Sequence, residues 1–276
     1  MEKAVKENHH MTRHITPTRV FPALSVLLWA TAFTTAGFAQ NPTPTPPPRQ
    51  TYQLSIVQVK PEMGLEWREY IKNDANPAAI KAGVTLRQVW TTATFGEGGE
   101  YVIVTPIENF AQFDGPSRMV KAIGQEGATA LLAKRQRLIN GSRSFAVTAR
   151  PDLGVAPEPG YQLKLAVSAR SIVAQGHMAD FVKSTKELSA VIAKTNAKGV
   201  LVNQIGLGGN PNEFITLVLF DSFDDIDKFP EALAKAVAEA KLTPEPADTV
   251  ANSEWRVYRY SPELSIIPAP QKAGNK

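Results

Sequence analysis

The chain has 276 residues, 43% of them hydrophobic, which is material for one substantial core or two smaller ones. It has no cysteine, so disulfides, thiolate catalysis, Cys-ligated zinc and iron–sulfur clusters are excluded. The formal charge of +4 makes no case for nucleic acid, because half of it falls within residues 1–39, where Lys3, Lys6, Arg13 and Arg19 face Glu2 and Glu7.

Arg13 and Arg19 precede the apolar run from Phe21 to Phe33 and the small-residue stretch Thr34-Thr35-Ala36-Gly37-Phe38-Ala39. That order is a secretory signal peptide, residues 1–39, with cleavage after Ala39. Pro22 and the nearby threonines argue against retention as an anchor, so no stable membrane insertion is expected after cleavage. Residues 40–49, Gln-Asn-Pro-Thr-Pro-Thr-Pro-Pro-Pro-Arg, can form neither helix nor sheet and are read as an extended Pro-rich linker. The expectation is an exported protein of the periplasm or the medium.

The remainder repeats itself. Tyr52-Gln53-Leu54 recurs as Tyr161-Gln162-Leu163, each opening a strand-like run. Glu66 to Lys72 resembles His177 to Lys183, which sets Trp67 against Met178, and Gly83 to Val89 resembles Gly199 to Ile205, which sets Trp90 against Gly206. Glu100-Tyr101-Val102 matches Glu213-Phe214-Ile215, and Pro151-Asp152-Leu153 matches Pro262-Glu263-Leu264. The unbroken order predicts a first unit over 50–154 and a second over 155–265, joined by the breaker-rich Gly154 to Gly160 and followed by a loose tail, 266–276.

Within a unit the first strand alternates, with Tyr52, Leu54 and Ile56 on one face, or Tyr161, Leu163, Leu165 and Val167 in the second copy. A helix follows, carrying Met63, Trp67, Tyr70 and Ile71 or Met178, Phe181, Leu188 and Ile192. Next come two strands around a Gly-rich turn, and then a second helix opened by Asn109-x-x-Gln112 or Ser222-x-x-Asp225. The first unit is expected to hold an extra helix from Ala128 to Ile139, stopped by Asn140-Gly141. Closing strands run over 144–149 and 254–260. Each unit is therefore βαββαβ, α+β in class and ferredoxin-like. The third strands, YVIV and FITLVLF, are apolar on both faces, and helices cover only one. Packing the two sheets face to face would hide the other, giving a pseudo-dimeric α/β barrel.

At this point the chain resembles the dimeric α/β-barrel superfamily, in its NIPSNAP-like and antibiotic-biosynthesis-monooxygenase-like branches. The carriers are the Tyr-x-Leu strand leading to Val59-Lys60-Pro61, the helix with Trp67 and Tyr70, Gly83-Val84 into Val89-Trp90-Thr91-Thr92, and Glu100-Tyr101-Val102. The resemblance implies the fold. It leaves activity open, since the superfamily spans cofactor-independent oxygenases, isomerases, haem enzymes and proteins without catalysis. It also implies a pocket between sheet and helices, lined by Asn, Tyr, Trp or Arg.

Residues with suitable chemistry for a ligand pocket are Trp67, Gln88 and Trp90 in the first unit, and His177, Asn203, Gln204, Trp255 and Tyr258 in the second. His177 is the one histidine after residue 39, so a His-based zinc site is excluded within a single chain, and a base or haem-ligand role competes with a plain helix-start role. A strand, not a helix, follows Gly96, Gly98 and Gly99, so they are no phosphate loop. Asp221, Asp224 and Asp225 suit a helix start. Arg256, Tyr258 and Tyr260 share one strand face, with Trp255, Val257 and Arg259 on the other; one of these arginines is expected to pair with an acid in the barrel seam. No metal or cofactor is expected. The leading expectation is a small organic ligand, aromatic or quinone-like, in a monomeric pseudo-dimer or a homodimer, with cofactor-independent oxygenation as its chemistry if the protein is an enzyme. The rival is an envelope scaffold or protein-interaction module without catalysis, which would fill the barrel with side chains.

Overall fold

The computed structural model describes residues 49–243 and 245–268; the expected signal peptide and all of the Pro-rich linker except Arg49 lie outside them. In chain order the elements are β1 (Thr51–Val59), α1 (Gly64–Tyr70), α2 (Asn76–Lys81), β2 (Gln88–Thr92), β3 (Glu100–Ile107), α3 (Arg118–Leu138) and β4 (Ile139–Ala149). Then come β5 (Leu165–Val173), α4 (Met178–Ile192), β6 (Gly199–Leu207), β7 (Glu213–Phe220), α5 (Phe223–Ala240) and β8 (Val250–Tyr260). The strands close into one antiparallel barrel in the order β1-β3-β2-β8-β5-β7-β6-β4. Each half contributes the ferredoxin-like order, β4-β1-β3-β2 and β8-β5-β7-β6, so the tandem pseudo-dimeric barrel expected from the repeat is what forms. Two short seams close it: Trp90↔Tyr260 to Thr92↔Tyr258, and Ala146↔Leu207 to Ala149↔Asn203.

Every neighbouring pair is antiparallel, so β1 and β5 run the same way and the pseudo-two-fold lies along the barrel axis. Strand register then fixes which residues are equivalent. The irregularity at Gln58/Val59, opposite Gly141 and Ile139, recurs at Ile172/Val173, opposite Asn252 and Val250. Leu54 is thereby equivalent to Ser168, Ile56 to Arg170, Phe145 to Arg256 and Val147 to Tyr258. Glu100 and Glu213 are equivalent, each pairing with the residue before the irregularity.

These registers correct the sequence alignment in places. Tyr161 and Leu163 precede β5, and Tyr52 is equivalent to Ala166. Trp90 matches Asn203, not Gly206, because both pair with the strand residue two positions beyond the equivalent glutamates. Trp67 corresponds to Phe181, not Met178: Trp67 packs on Tyr101 at 5.7 Å between ring centroids, and Phe181 packs on Phe214 at 4.7 Å. Leu153 and Leu264, matched in sequence, are both buried.

Period-two alternation sends even residues of β1 into the lumen, while Val57 and Val59 pack with Trp67, Tyr70 and Val89 under the helices. The second helical core gathers Phe181, Ile192, Phe214, Val218 and Phe220. Helix ends follow local chemistry. Ser222 caps α5, its Oγ accepting from Asp225 N at 3.1 Å, as the capping pattern predicts. Asn109 caps nothing; a 3-10 turn over Phe110–Phe113 follows it, and Ser117 caps α3 instead. The separate helix expected from Ala128 is the second part of α3, which bends at Gly124, and Asn140-Gly141 already belongs to β4, since the strand leaves the helix without a loop. The connection between the halves is stitched to β6 by Val155 and Val200, whose backbones exchange 2.8 Å hydrogen bonds. Gly154 is required there: a Cβ would lie 2.3 Å from the Val200 carbonyl oxygen. Ile266, where the tail was expected to begin, pairs with Arg87. Among the described residues no helix is long and apolar enough to cross a membrane.

Candidate functional site in the barrel lumen

Side chains do not fill the barrel. A cavity of about 330 Å³ remains inside it, near the lower end of the roughly 300–1,000 Å³ typical of small-molecule sites. Its wall is set by the alternation of each strand. The first half presents Tyr52, Leu54, Ile56, Val102, Val104 and Val147. The second presents Ser168, Arg170, Asn203, Arg256 and Tyr258, with Ile215 and Leu217.

Of the residues singled out from sequence, Gln88, Trp90, Asn203 and Tyr258 line this cavity. The other four do not. Trp67, on the buried face of α1, is fully buried in the helical core. His177 immediately precedes α4, with Nδ1 3.4 Å from Asp180 and Nε2 3.6 Å from Asp248, so it stands at the helix start, outside the lumen. Gln204 faces out of the barrel, accepting from Arg150 at 2.9 Å and donating to the Pro211 carbonyl at 3.0 Å. Trp255 points to solvent at 65% exposure. The physical reason is the pleat: neighbours in one strand face opposite ways, so Asn203 and Gln204, or Trp255 and Tyr258, cannot share a wall.

The space between sheets and helices, where the resemblance places a pocket, is packed in this chain by Trp67, Tyr70 and Val89 on one side and by Phe181, Phe214 and Phe220 on the other. The barrel interior, by contrast, is left open. Trp90, its ring 5.1 Å from that of Tyr260, offers an aromatic face there.

One end of the lumen is charged. Glu100, only 3% exposed, receives hydrogen bonds from Arg256 and from the Tyr258 hydroxyl, the latter at 2.6 Å. Arg256 also donates to Glu254 at 2.6 Å and to Glu97 at 3.4 Å. Burial opposes the Arg256 charge, but hydrogen bonds to Glu100 and Glu254 outweigh it and raise the guanidinium above its ordinary range. Burial, then the bond to Glu100, pushes the Tyr258 phenol upward, so it stays neutral and donates. Arg256 is thus the arginine that meets an acid at the seam. At the equivalent glutamate, Arg170 Nε donates to Glu213. Each carboxylate on this end therefore already has a cation, and none stands free as a base.

Other polar groups on the wall have no such partner. Among the described residues, the side chains of Gln88, Trp90, Ser168 and Asn203 make no hydrogen bond to protein. Sequence reasoning missed Ser168, Arg170 and Glu100; the signal was the pair of glutamates at one repeat position, which buried strands cannot hold without cations. Among the described residues no group of three His, Asp or Glu is arranged to hold a metal ion.

No family model matches the sequence, and neither does any curated protein. Solved structures match in fold. A provisionally named monooxygenase from Lactobacillus acidophilus shares 10% identity with a TM-score of 0.52, over 77% of this chain and 94% of its own. An anthrone oxidase-like protein shares 11% with a TM-score of 0.51, over 78% and 92%. A point variant of chlorite dismutase from Candidatus Nitrospira defluvii shares 12% with a TM-score of 0.51, over the same fractions. At such identities the likeness is one of fold: the chain has the dimeric α/β-barrel architecture.

Proposed function

We propose that this protein binds a small organic ligand, aromatic or quinone-like, inside its barrel. One observation carries the reading: a cavity of about 330 Å³ whose largely apolar wall holds Trp90, Gln88, Ser168 and Asn203 with their polar atoms unspent. A buried polar group costs free energy unless something bonds to it, so these four favour a ligand with matching acceptors and donors, or water in its absence. The scaffold alternative expects a filled interior. Export belongs to the same proposal and rests on the pattern of residues 1–39; a mature secreted chain beginning at Gln40 is the expected product.

Cofactor-independent oxygenation is the second reading, favoured by the fold shared with an anthrone oxidase-like protein. The substrate would carry the electrons, and the wall would supply a dry pocket and oriented donors. The test is native mass spectrometry of the exported protein with a thermal-shift panel of aromatic and quinone compounds. A retained ligand or a shift abolished by Trp90→Ala is expected. No bound species and no shift would overturn the reading, and turnover of an anthrone under oxygen would decide for the second.

A further inference from the structure

Resting on the lumen as the ligand site, we infer that Arg170 and Ser168 form a donor subsite for a carbonyl oxygen of an uncharged ligand, a quinone or an aryl ketone. The two residues stand on the same face of β5, two apart, and both line the cavity. Arg170 spends only Nε, on Glu213. Its terminal nitrogens have no protein acceptor among the described residues, and its guanidinium carbon lies 5.4 Å from the Phe145 ring centroid. Ser168 is 6% exposed and its hydroxyl is likewise unspent. Arg256 differs: Nε, Nη1 and Nη2 all donate to glutamates, four bonds that leave one of its five N–H groups and no free fork for a ligand.

Architecture does not demand these residues. The pseudo-two-fold puts Leu54 where the second half has Ser168, and Ile56 where it has Arg170, in a strand of the same length and register. Nor does Glu213 need both terminal nitrogens, since a single Nε bond already pairs it.

The charge balance selects the kind of oxygen. Arg170 and Arg256 face Glu100, Glu213 and Glu254 at this end, with Glu97 beyond and Arg143 at the exposed mouth over the Phe145 ring, so four acids meet three cations. A carboxylate ligand would add like charge in a half-desolvated site, whereas a neutral carbonyl accepts the two forked N–H bonds without it. The apolar wall of Leu54, Ile56 and Val102 then takes the ring.

The experiment titrates the exported protein with 1,4-naphthoquinone, naphthalene and 2-naphthoate, reading tryptophan fluorescence and thermal shift. Wild type is expected to bind the quinone at least tenfold more tightly than the hydrocarbon, and the carboxylate most weakly. Arg170→Lys keeps a cation for Glu213 but loses the fork, and Ser168→Ala disturbs nothing else; each is expected to erase most of the quinone preference while leaving naphthalene affinity within twofold. Unchanged quinone preference in both variants, or tighter binding of 2-naphthoate than of the quinone, would overturn the subsite. Failure of all three compounds to bind wild type would instead overturn the lumen reading on which it rests.

Discussion

The two halves of the barrel build the same strands in the same registers and line them differently. The first half turns Leu54, Ile56, Phe145 and Val147 inward; at the equivalent positions the second turns Ser168, Arg170, Arg256 and Tyr258 inward. The fold requires only that something occupy the inward positions of an alternating strand. A wall that is greasy on one side and polar on the other is therefore a choice about contents. The glutamates sharpen the contrast, because both halves keep one at the start of the third strand, Glu100 and Glu213, and the second half supplies the arginine for each, Arg256 across the seam and Arg170 within the half.

The largest effects are expected where that solution is broken. Arg256→Met leaves Glu100 buried beside only the Tyr258 hydroxyl and is expected to destabilise the fold by about 3–5 kcal/mol in chemical denaturation. Adding Glu100→Gln should recover most of it, since removing both charges is far less harmful than stranding one. If the single variant is as stable as wild type, the charged end is not held by this pair. Trp67→Ala is expected to cost about 3–5 kcal/mol by opening a void in the helical core, with ligand affinity unchanged. Trp90→Ala should do the reverse in emphasis, weakening ligand binding tenfold or more. Equal loss of affinity in both would erase the distinction between the two sides of the sheet.

Much of this was legible in the chain itself. Alternation in YQLSIVQV and the doubly apolar YVIV and FITLVLF required covers on both faces, which is a barrel once the repeat is seen. The lumen was harder, because the repeat slips. Tyr161-Gln162-Leu163 looks like Tyr52-Gln53-Leu54 but lies in the connection before β5, and that false match hides Ser168 and Arg170 behind an apparent Leu165/Val167 face, which in fact packs under the helices. Helix ends divided the same way. Ser222 caps because its hydroxyl reaches Asp225 N, whereas Asn109 is followed by a turn too short to need it. Residues far apart in sequence, such as Glu100 and Arg256, meet only through the seam between β2 and β8.

Tyrosine titration offers a subtler contrast. Burial raises Tyr258 and, more simply, Tyr52 and Tyr101, so in the folded state each holds its proton to higher pH than in the unfolded chain. The stability they contribute is complete below about pH 10, the ordinary phenol value, and is lost as pH rises from there through the folded values. Denaturation midpoints should fall on that alkaline limb, and Tyr52→Phe should flatten it; a limb that stays level would contradict the buried phenols. Smallest of all, Ser222→Ala is expected to cost about 1 kcal/mol and Asn109→Ala nothing measurable in thermal melts.

Isotope-filtered NOE spectroscopy of the naphthoquinone complex, with the methyl groups of the protein assigned, tests the lumen most directly. Contacts from ligand protons to Leu54, Val102, Val147 and Ile215 are the expected result. Contacts to Val57, Val59 and Ile71 instead, on the helical side of the sheet, would contradict the account.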